Sequence, residues 1–421
     1  MTNSLGSIIK LKRMEKNITQ EELCYGICAN SYLSRIENNR VVPNDQIYML
    51  LFERLGLDFV SFKKKSVQVD EKIEEWYRDL VNGKLDGVDV EEIQLYALSS
   101  DARILLKFDI AYSRYLLMNK HIDQAETKIN NINKVIIPEY SREFFLYTDV
   151  IVLYYLLKGK YSEAIIAGQK LLNISGYENL AADYELGNIY YNLAFGHKNL
   201  YSYETAYYYI NKALNIFKDG YYLERALDCH IILGICYNNL KKWNHAIQTY
   251  KLAKKLLNYL SPECQDKYLA MIYNNLGNCY EYQNNYRKAV YYYLKTLQFQ
   301  NKSILTMINL IRSYFMLQDR ENAIYWLNNA MKLKNNNMNK TYQVQIDIFS
   351  VILSNQITMD SIIQIQKYSI NYFISKDDWK LTVRYCLLFA NLYESKSAYK
   401  KANHMNKLAF KANEKLQRGG D

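Results

Sequence analysis

Proline and glycine are scarce, at 3 and 15 residues in a chain of 421. Proline breaks helices and glycine weakens them, so the shortage predicts a mostly helical chain. Segments with convincing strand-like alternation are missing too. The seven cysteines include no CxxC pair, which suits reduced thiols and removes the usual zinc-site spacings. Cys24 and Cys28, four apart, read as small buried residues. Histidine is limited to His121, His197, His230, His245 and His404, with no HExxH and no neighbouring nucleophile motif. GxxxxGK[ST], GxGxxG and GxSxG are all absent. No cofactor, no metal and no enzymatic activity are expected. The longest apolar run, Val150 to Leu157, is too short to cross a bilayer, and the first residues lack the apolar run of a signal peptide. A cytoplasmic protein without a membrane partner is expected.

Charge is present in moderate excess, with a net value of +10 and no dominant basic block. Such a balance permits nucleic-acid binding without requiring it. Residues 1–65 hold ten Lys or Arg against seven Asp or Glu, and Lys63-Lys64-Lys65 reads as a solvated linker. Tyrosine (42 residues) and asparagine are abundant. AT-rich coding alone would account for that, which does not prevent their use.

Leu5, Ile8, Ile9 and Leu11 predict an amphipathic helix with Lys10, Lys12, Arg13 and Lys16 on its exposed face. Thr19 and Glu22 then form a capping-box pattern, in which each side chain satisfies a backbone N–H at a helix start. Leu23 faces inward, Gly26 can close the helix at positive φ, and Ile27 anchors the turn. Asn30 or Ser31 can cap the next helix, which buries Leu33 and Ile36. Asn30, Ser31, Tyr32, Ser34, Arg35 and Asn38 are left pointing outward. Asparagine pairs with adenine and arginine with guanine in a major groove, so these are the expected DNA readers. Gln20, Asn38, Asn39 and Arg40 are placed to meet phosphates. Ile47, Leu50, Leu51, Leu55 and Leu57 are expected to close a small five-helix core.

Thr19 to Leu23 and Ser34 to Asn38 resemble the Xre/Cro-type helix-turn-helix family. By that resemblance Asn30, Ser31 and Arg35 would read bases. The segment Cys24 to Ser31 is one residue shorter than usual, with Ile27-Cys28 where Gly-Val is common. This is similar to the motif in peptide-pheromone receptors of Gram-positive bacteria.

Behind this head the chain repeats itself. Ala246 lies twelve residues after Gly234, and Ala253 seven further on. The same spacing joins Gly277 to Ala289, Ala194 to Ala206 and Ala213, Ile311 to Ala323 and Ala330, and Ala390 to Ala402 and Ala409. Weaker copies start at Ser113, Val152 and Ser350, so eight anchors recur every 34 to 43 residues. Small residues at such intervals let paired antiparallel helices approach and stack. The pattern resembles tetratricopeptide (TPR) repeats, which implies an all-α fold: helix-turn-helix domain in 1–66, linker helices in 67–100, and a right-handed TPR-type solenoid in 101–421. In such a solenoid the first helix of each pair lines the concave face. Arg114, Asn188, Tyr191, Asn238, Asn274, Asn278, Arg312, Arg384 and Asn391 are expected there. Asparagine amides can hold an extended peptide backbone, and arginine can take a terminal carboxylate or an acidic side chain.

The whole architecture resembles the RRNPP family of quorum-sensing peptide receptors. The resemblance implies a homodimer on a double-stranded operator, arranged as an inverted repeat, and a short signalling peptide in the groove. It also leaves two alternatives: a scaffold that inhibits or dephosphorylates a response regulator or phosphorelay protein, and a phage receptor governing lysis and lysogeny.

Overall fold

The computed structural model describes residues 5–38, 40–85, 89–98, 102–335 and 337–418. Among them there is no strand, and no helix is long and apolar enough to cross a membrane. The chain forms two compact units, Met1–Ile189 and Tyr190–Asp421.

The first unit begins with α1 (Leu5–Glu15), α2 (Gln20–Cys24), α3 (Asn30–Glu37), α4 (Asp45–Arg54) and α5 (Phe59–Val81). The Thr19–Glu22 capping box is formed: the Glu22 amide donates to Thr19 Oγ1 at 3.1 Å, and the Thr19 amide to Glu22 Oε2 at 2.7 Å. Gly26 has φ +70°, the left-handed value that lets the chain turn after α2 without a Cβ penalty. Helix α3 starts earlier than expected, because Asn30 is already helical and the N-cap is Ala29, with no side-chain bond. Ile9, Leu23, Leu33, Ile36 and Leu51 are completely buried. Leu11 and Leu50 depart from the expected core and face solvent. Because α4 begins at Asp45, its inward positions are Tyr48, Leu51, Phe52 and Leu55, the spacing of one helical face.

Helix α5 removes the expected boundary at residue 66. Phe59 packs in the head core while Val69, Ile73, Trp76, Tyr77 and Leu80 are buried further along the same helix. The lysine run that looked like a linker lies inside it. Lysine has good helix propensity, and the apolar spacing passes through without a break.

Helix α6 (Val90–Leu98) leads to eight antiparallel pairs among the described residues. They are α7 (Ala102–Met118) with α8 (Ile122–Asn133), α9 (Arg142–Leu157) with α10 (Tyr161–Leu172), and α11 (Asp183–Asn199) with α12 (Tyr203–Asp219). Next come α13 (Leu223–Asn239) with α14 (Trp243–Leu256), α15 (Pro262–Tyr282) with α16 (Tyr286–Phe299), and α17 (Ile304–Met316) with α18 (Arg320–Lys332). The last are α19 (Lys340–Ile352) with α20 (Met359–Ser375) and α21 (Trp379–Ser395) with α22 (Tyr399–Arg418). Each sequence anchor falls in the first helix of a pair, and its partner twelve residues on falls in the second. The anchors work by close approach. A Cβ on Gly277 would stand 2.4 Å from the Tyr293 ring, and one on Gly234 would stand 2.4 Å from the Tyr250 ring. Both rings are fully buried, so neither can swing away. Gly277→Ala is therefore expected to lower stability by about 1–3 kcal/mol through overpacking, read as an earlier midpoint in urea unfolding.

Candidate functional site

Two regions carry the chemistry, one in each unit. In the head, Asn30, Ser31, Arg35, Asn38 and Arg40 are exposed at or just after α3. Tyr32 and Ser34 are only half-exposed, with Tyr32 packed against the head core. Asn39 lies outside the described residues. Asn38 donates to the Ser34 carbonyl at 2.8 Å and accepts from Lys10 Nζ at 3.4 Å.

The α3 face is held by an ion pair that the sequence pattern misassigned. Arg13, expected on the exposed basic face, donates from Nε and Nη2 to both oxygens of buried Glu37, at 2.6 and 3.0 Å. Its Nη1 reaches the Ile18 carbonyl at 2.8 Å. The Gln20 amide donates to Glu37 Oε2 at 2.7 Å. One carboxylate thus ties α1, α2 and the end of α3 together. A phosphate contact from the Gln20 amide would compete with that bond.

Further along the first unit, Arg114 and Asn188 converge on a buried carboxylate, that of Asp149. Asn188 Nδ2 donates to it at 2.8 Å, the Tyr77 hydroxyl at 2.7 Å, and Arg114 Nη1 also bonds it. All four residues are buried. Nearby, Arg142 pairs with Glu74 at 2.7 Å and with Glu185 at 2.6 Å. Buried Lys107 lies 2.8 Å from Glu74 and 2.9 Å from Asp70. Burial pushes the Glu74 carboxyl up, but the hydrogen bond and charge of Arg142, with Lys107, outweigh this and hold it below its usual range. Arg114 and Asn188 therefore serve a network that fastens α5 to α7, α9 and the start of α11, in place of an open groove wall.

The second unit contains a cavity of about 890 Å³. That is near the top of the range of roughly 300–1,000 Å³ typical of ligand pockets. Its walls come from the turn between α11 and α12 and the start of α12, the ends of α13 and α15, the start of α16, and α17, α21 and α22. Arg312, Arg384 and Asn391 line it, as does a set that the repeat spacing did not single out: Tyr201, Tyr203, Asn239, Tyr282, Asn284 and Lys380. Tyr201 and Asn284 sit at positive φ in the short turns within their helix pairs, outside the regular helix count. Lys380 had a readable signal, since it precedes Arg384 by four positions and shares its face of α21.

Arg312 grips Glu281 through Nε and Nη2, the latter at 2.8 Å, and Nη2 also reaches Asn309 at 2.7 Å. Glu281 takes the Tyr293 hydroxyl at 2.7 Å. Burial opposes ionisation of Glu281, yet the charges of Arg312 and Arg384 hold its carboxyl down at about 2. Asn278 accepts from Tyr293 at 3.2 Å, and Asn274 accepts from Asn309 at 3.3 Å, so both belong to the same network without lining the cavity. Tyr191 and Asn238 are not among the lining residues. The Tyr191 ring lies under the Arg225 guanidinium, 4.7 Å away, and Asn238 is buried with its Oδ1 unpartnered.

Fold and sites define an all-helical chain in which a helix-turn-helix head precedes a TPR-like body with a charged, tyrosine-lined cavity. The helix-turn-helix family profile matches residues 9–62. The chain is 25% identical over 399 residues to the transcriptional activator NprA of Geobacillus stearothermophilus, covering 91% of this chain and 97% of that protein. It is 25% identical over 251 residues to response regulator aspartate phosphatase E of Bacillus subtilis, covering 54% of this chain and 63% of that one. The fold matches the apo form of the quorum sensor NprR from B. thuringiensis with a TM-score of 0.66 at 18% identity, covering 82% of this chain and 99% of that one. It matches NprR in complex with its cognate peptide NprX with a TM-score of 0.59 at 20% identity, over 82% and 99%. In its N-terminal helix-turn-helix and TPR-like helical body the chain is similar to these proteins, whose fold it shares.

Proposed function

We propose that this chain is a cytoplasmic transcriptional regulator whose grip on DNA is set by a short signalling peptide held in the cavity of its helical body. The observation that carries this reading is the pairing, in one chain, of an exposed Asn30–Ser31–Arg35 face with a charged cavity lined by tyrosine and asparagine. Similarity to NprA along 91% of the chain supports the output, and peptide-bound NprR supports the input. The protein acts as a homodimer, since a single head buries little DNA surface and a two-fold pair reads two half-sites of an inverted repeat. It performs no chemistry of its own. The peptide acts by binding one arrangement of the helical body better than another, and so shifts the population that holds DNA.

Arg35→Ala tests the output. It is expected to cost about 1–3 kcal/mol of discrimination between operator and scrambled duplex, measured by fluorescence anisotropy, while peptide binding is unchanged. Unaltered discrimination would remove α3 as the reading helix. The similarity to response regulator aspartate phosphatase E favours a second reading. In it the helical body binds a response-regulator-like protein and inhibits or dephosphorylates it. That activity would survive Arg35→Ala, whereas transcriptional control would not.

A further inference from the structure

The cavity holds more positive charge than it neutralises. Glu281 is hydrogen-bonded by Arg312 and the Tyr293 hydroxyl, and the charge of Arg384 acts on it without a direct bond. Asp378 accepts the Leu381 amide at 2.9 Å, capping α21, and Glu204 is exposed. Lys380 and Arg384 remain, four residues apart on one face of α21, where like charges repel. Both lie over the Tyr282 ring, Lys380 Nζ at 5.2 Å and Arg384 Cζ at 5.6 Å from its centroid. Lys380 donates to a neutral amide oxygen, that of Asn239, at 3.0 Å, and also hydrogen-bonds the Tyr282 hydroxyl. Asp378 and Glu281 feel the charge of these cations, but among the described residues neither cation forms a salt bridge. Arg312, on the same cavity wall, has its Nη1 fully buried and without a hydrogen-bond partner.

We propose that the Lys380–Arg384 pair anchors a carboxylate of the bound peptide, with the Tyr282 ring as the floor beneath it. The proposal rests on the peptide-receptor reading and deepens it by assigning the ligand an anionic end. A carboxylate takes bidentate hydrogen bonds from a guanidinium and one more from an ammonium, and it relieves the repulsion between them. Arginine stacked on an aromatic ring is already oriented, so little side-chain freedom is lost on binding. The Tyr282 phenol registers the same field. Burial pushes it up, yet Lys380 and Arg384 together bring it below its usual value. Lys198 is pushed down to about 8 by burial, with the charge of Lys380 adding to the effect. The carboxylate is either the peptide's C-terminus or an aspartate or glutamate side chain.

The test exposes the full-length protein to degenerate hexapeptide pools and identifies retained peptides by mass spectrometry. One pool has free C-termini and one has amidated C-termini, and each is made with and without Asp and Glu. Retention of free acids over amides by about tenfold assigns the C-terminus. Equal retention of acids and amides, with Asp- or Glu-containing peptides enriched about tenfold, assigns a side chain. Either preference is expected to collapse in Arg384→Gln and Lys380→Gln and to persist in Arg384→Lys. Retention of all four pools alike would overturn the anchor and leave the peptide receptor standing. Retention of none would overturn both. The wild-type comparison needs no variant, so a misfolded substitution cannot obscure the result.

Discussion

Asp149→Ala is expected to destabilise the protein by about 3–5 kcal/mol, because it leaves Arg114 as a buried charge without its carboxylate. The Tyr77 hydroxyl and the Asn188 amide lose the same acceptor. An unmet buried donor costs roughly 1–3 kcal/mol, so the loss falls on three groups at once. Tyr77 retains the Leu146 carbonyl at 3.2 Å, which limits its share. The informative comparison is the double variant Asp149→Leu with Arg114→Met. Removing both charges eliminates the orphan, so most of the lost stability is expected to return. Urea unfolding of the two single variants and the double one gives the coupling directly. If the double variant is as unstable as the sum of the singles, the network contributes as packing and not as an ion pair. Helix α5 carries both Tyr77 in this network and Phe59 in the head core.

Acid is expected to remove stability in two pH windows with different causes. His230 is buried with neither ring nitrogen hydrogen-bonded, and burial, reinforced by the charge of Lys218, pushes its pKa from 6.5 down to about 4. The unfolded chain therefore takes up a proton on this histidine that the folded one refuses. Stability is complete above pH 6.5 and falls as pH drops towards 4, by about 3 kcal/mol. Glu281, with Glu74, contributes to the lower window. Its folded pKa of about 2 lies below the ordinary 4.5, so its contribution is present above pH 4.5 and is lost between 4.5 and 2. His230→Leu is expected to shrink the upper window, to which buried His197 also contributes, and to keep or improve stability at pH 7, since an unsatisfied polar group is removed. Stability measured by urea titration at pH 7, 5.5 and 4 checks this. An unchanged slope between pH 6.5 and 4 in His230→Leu would rule out that histidine as the cause.

What the sequence revealed and what it hid follow a physical division. The Thr19–Glu22 cap was legible because its partners are three residues apart. The repeat anchors were legible because helix crossings demand small residues at a fixed local interval, as the Tyr293 ring against Gly277 illustrates. The continuity of α5 was misread because a lysine run signals solvent exposure without saying whether the backbone is helical. The roles of Arg114 and Asn188 were hidden for another reason. Both were placed by face, but their partner Asp149 lies 35 and 39 residues away in sequence. Periodicity says which face a residue occupies and nothing about which charge meets it there. Arg13 went astray in the same way, through Glu37, 24 residues on. In the cavity, Arg312, Arg384 and Asn391 fell on lining positions because they sit within regular helices. Tyr201, Tyr203 and Asn284 lie in or beside the turns between helices, where the repeat count gives no face at all.

The central claim is that one chain couples a peptide site to a DNA site, and operator affinity with and without peptide tests it most directly. Full-length protein is titrated onto a labelled duplex from the promoter of its own gene, in the presence and absence of a peptide that the protein retains. Coupling of 1–3 kcal/mol is expected, which changes operator affinity by about 5- to 150-fold, and saturating operator must change peptide affinity by the same factor. Tight peptide binding with operator affinity unaltered would contradict the account.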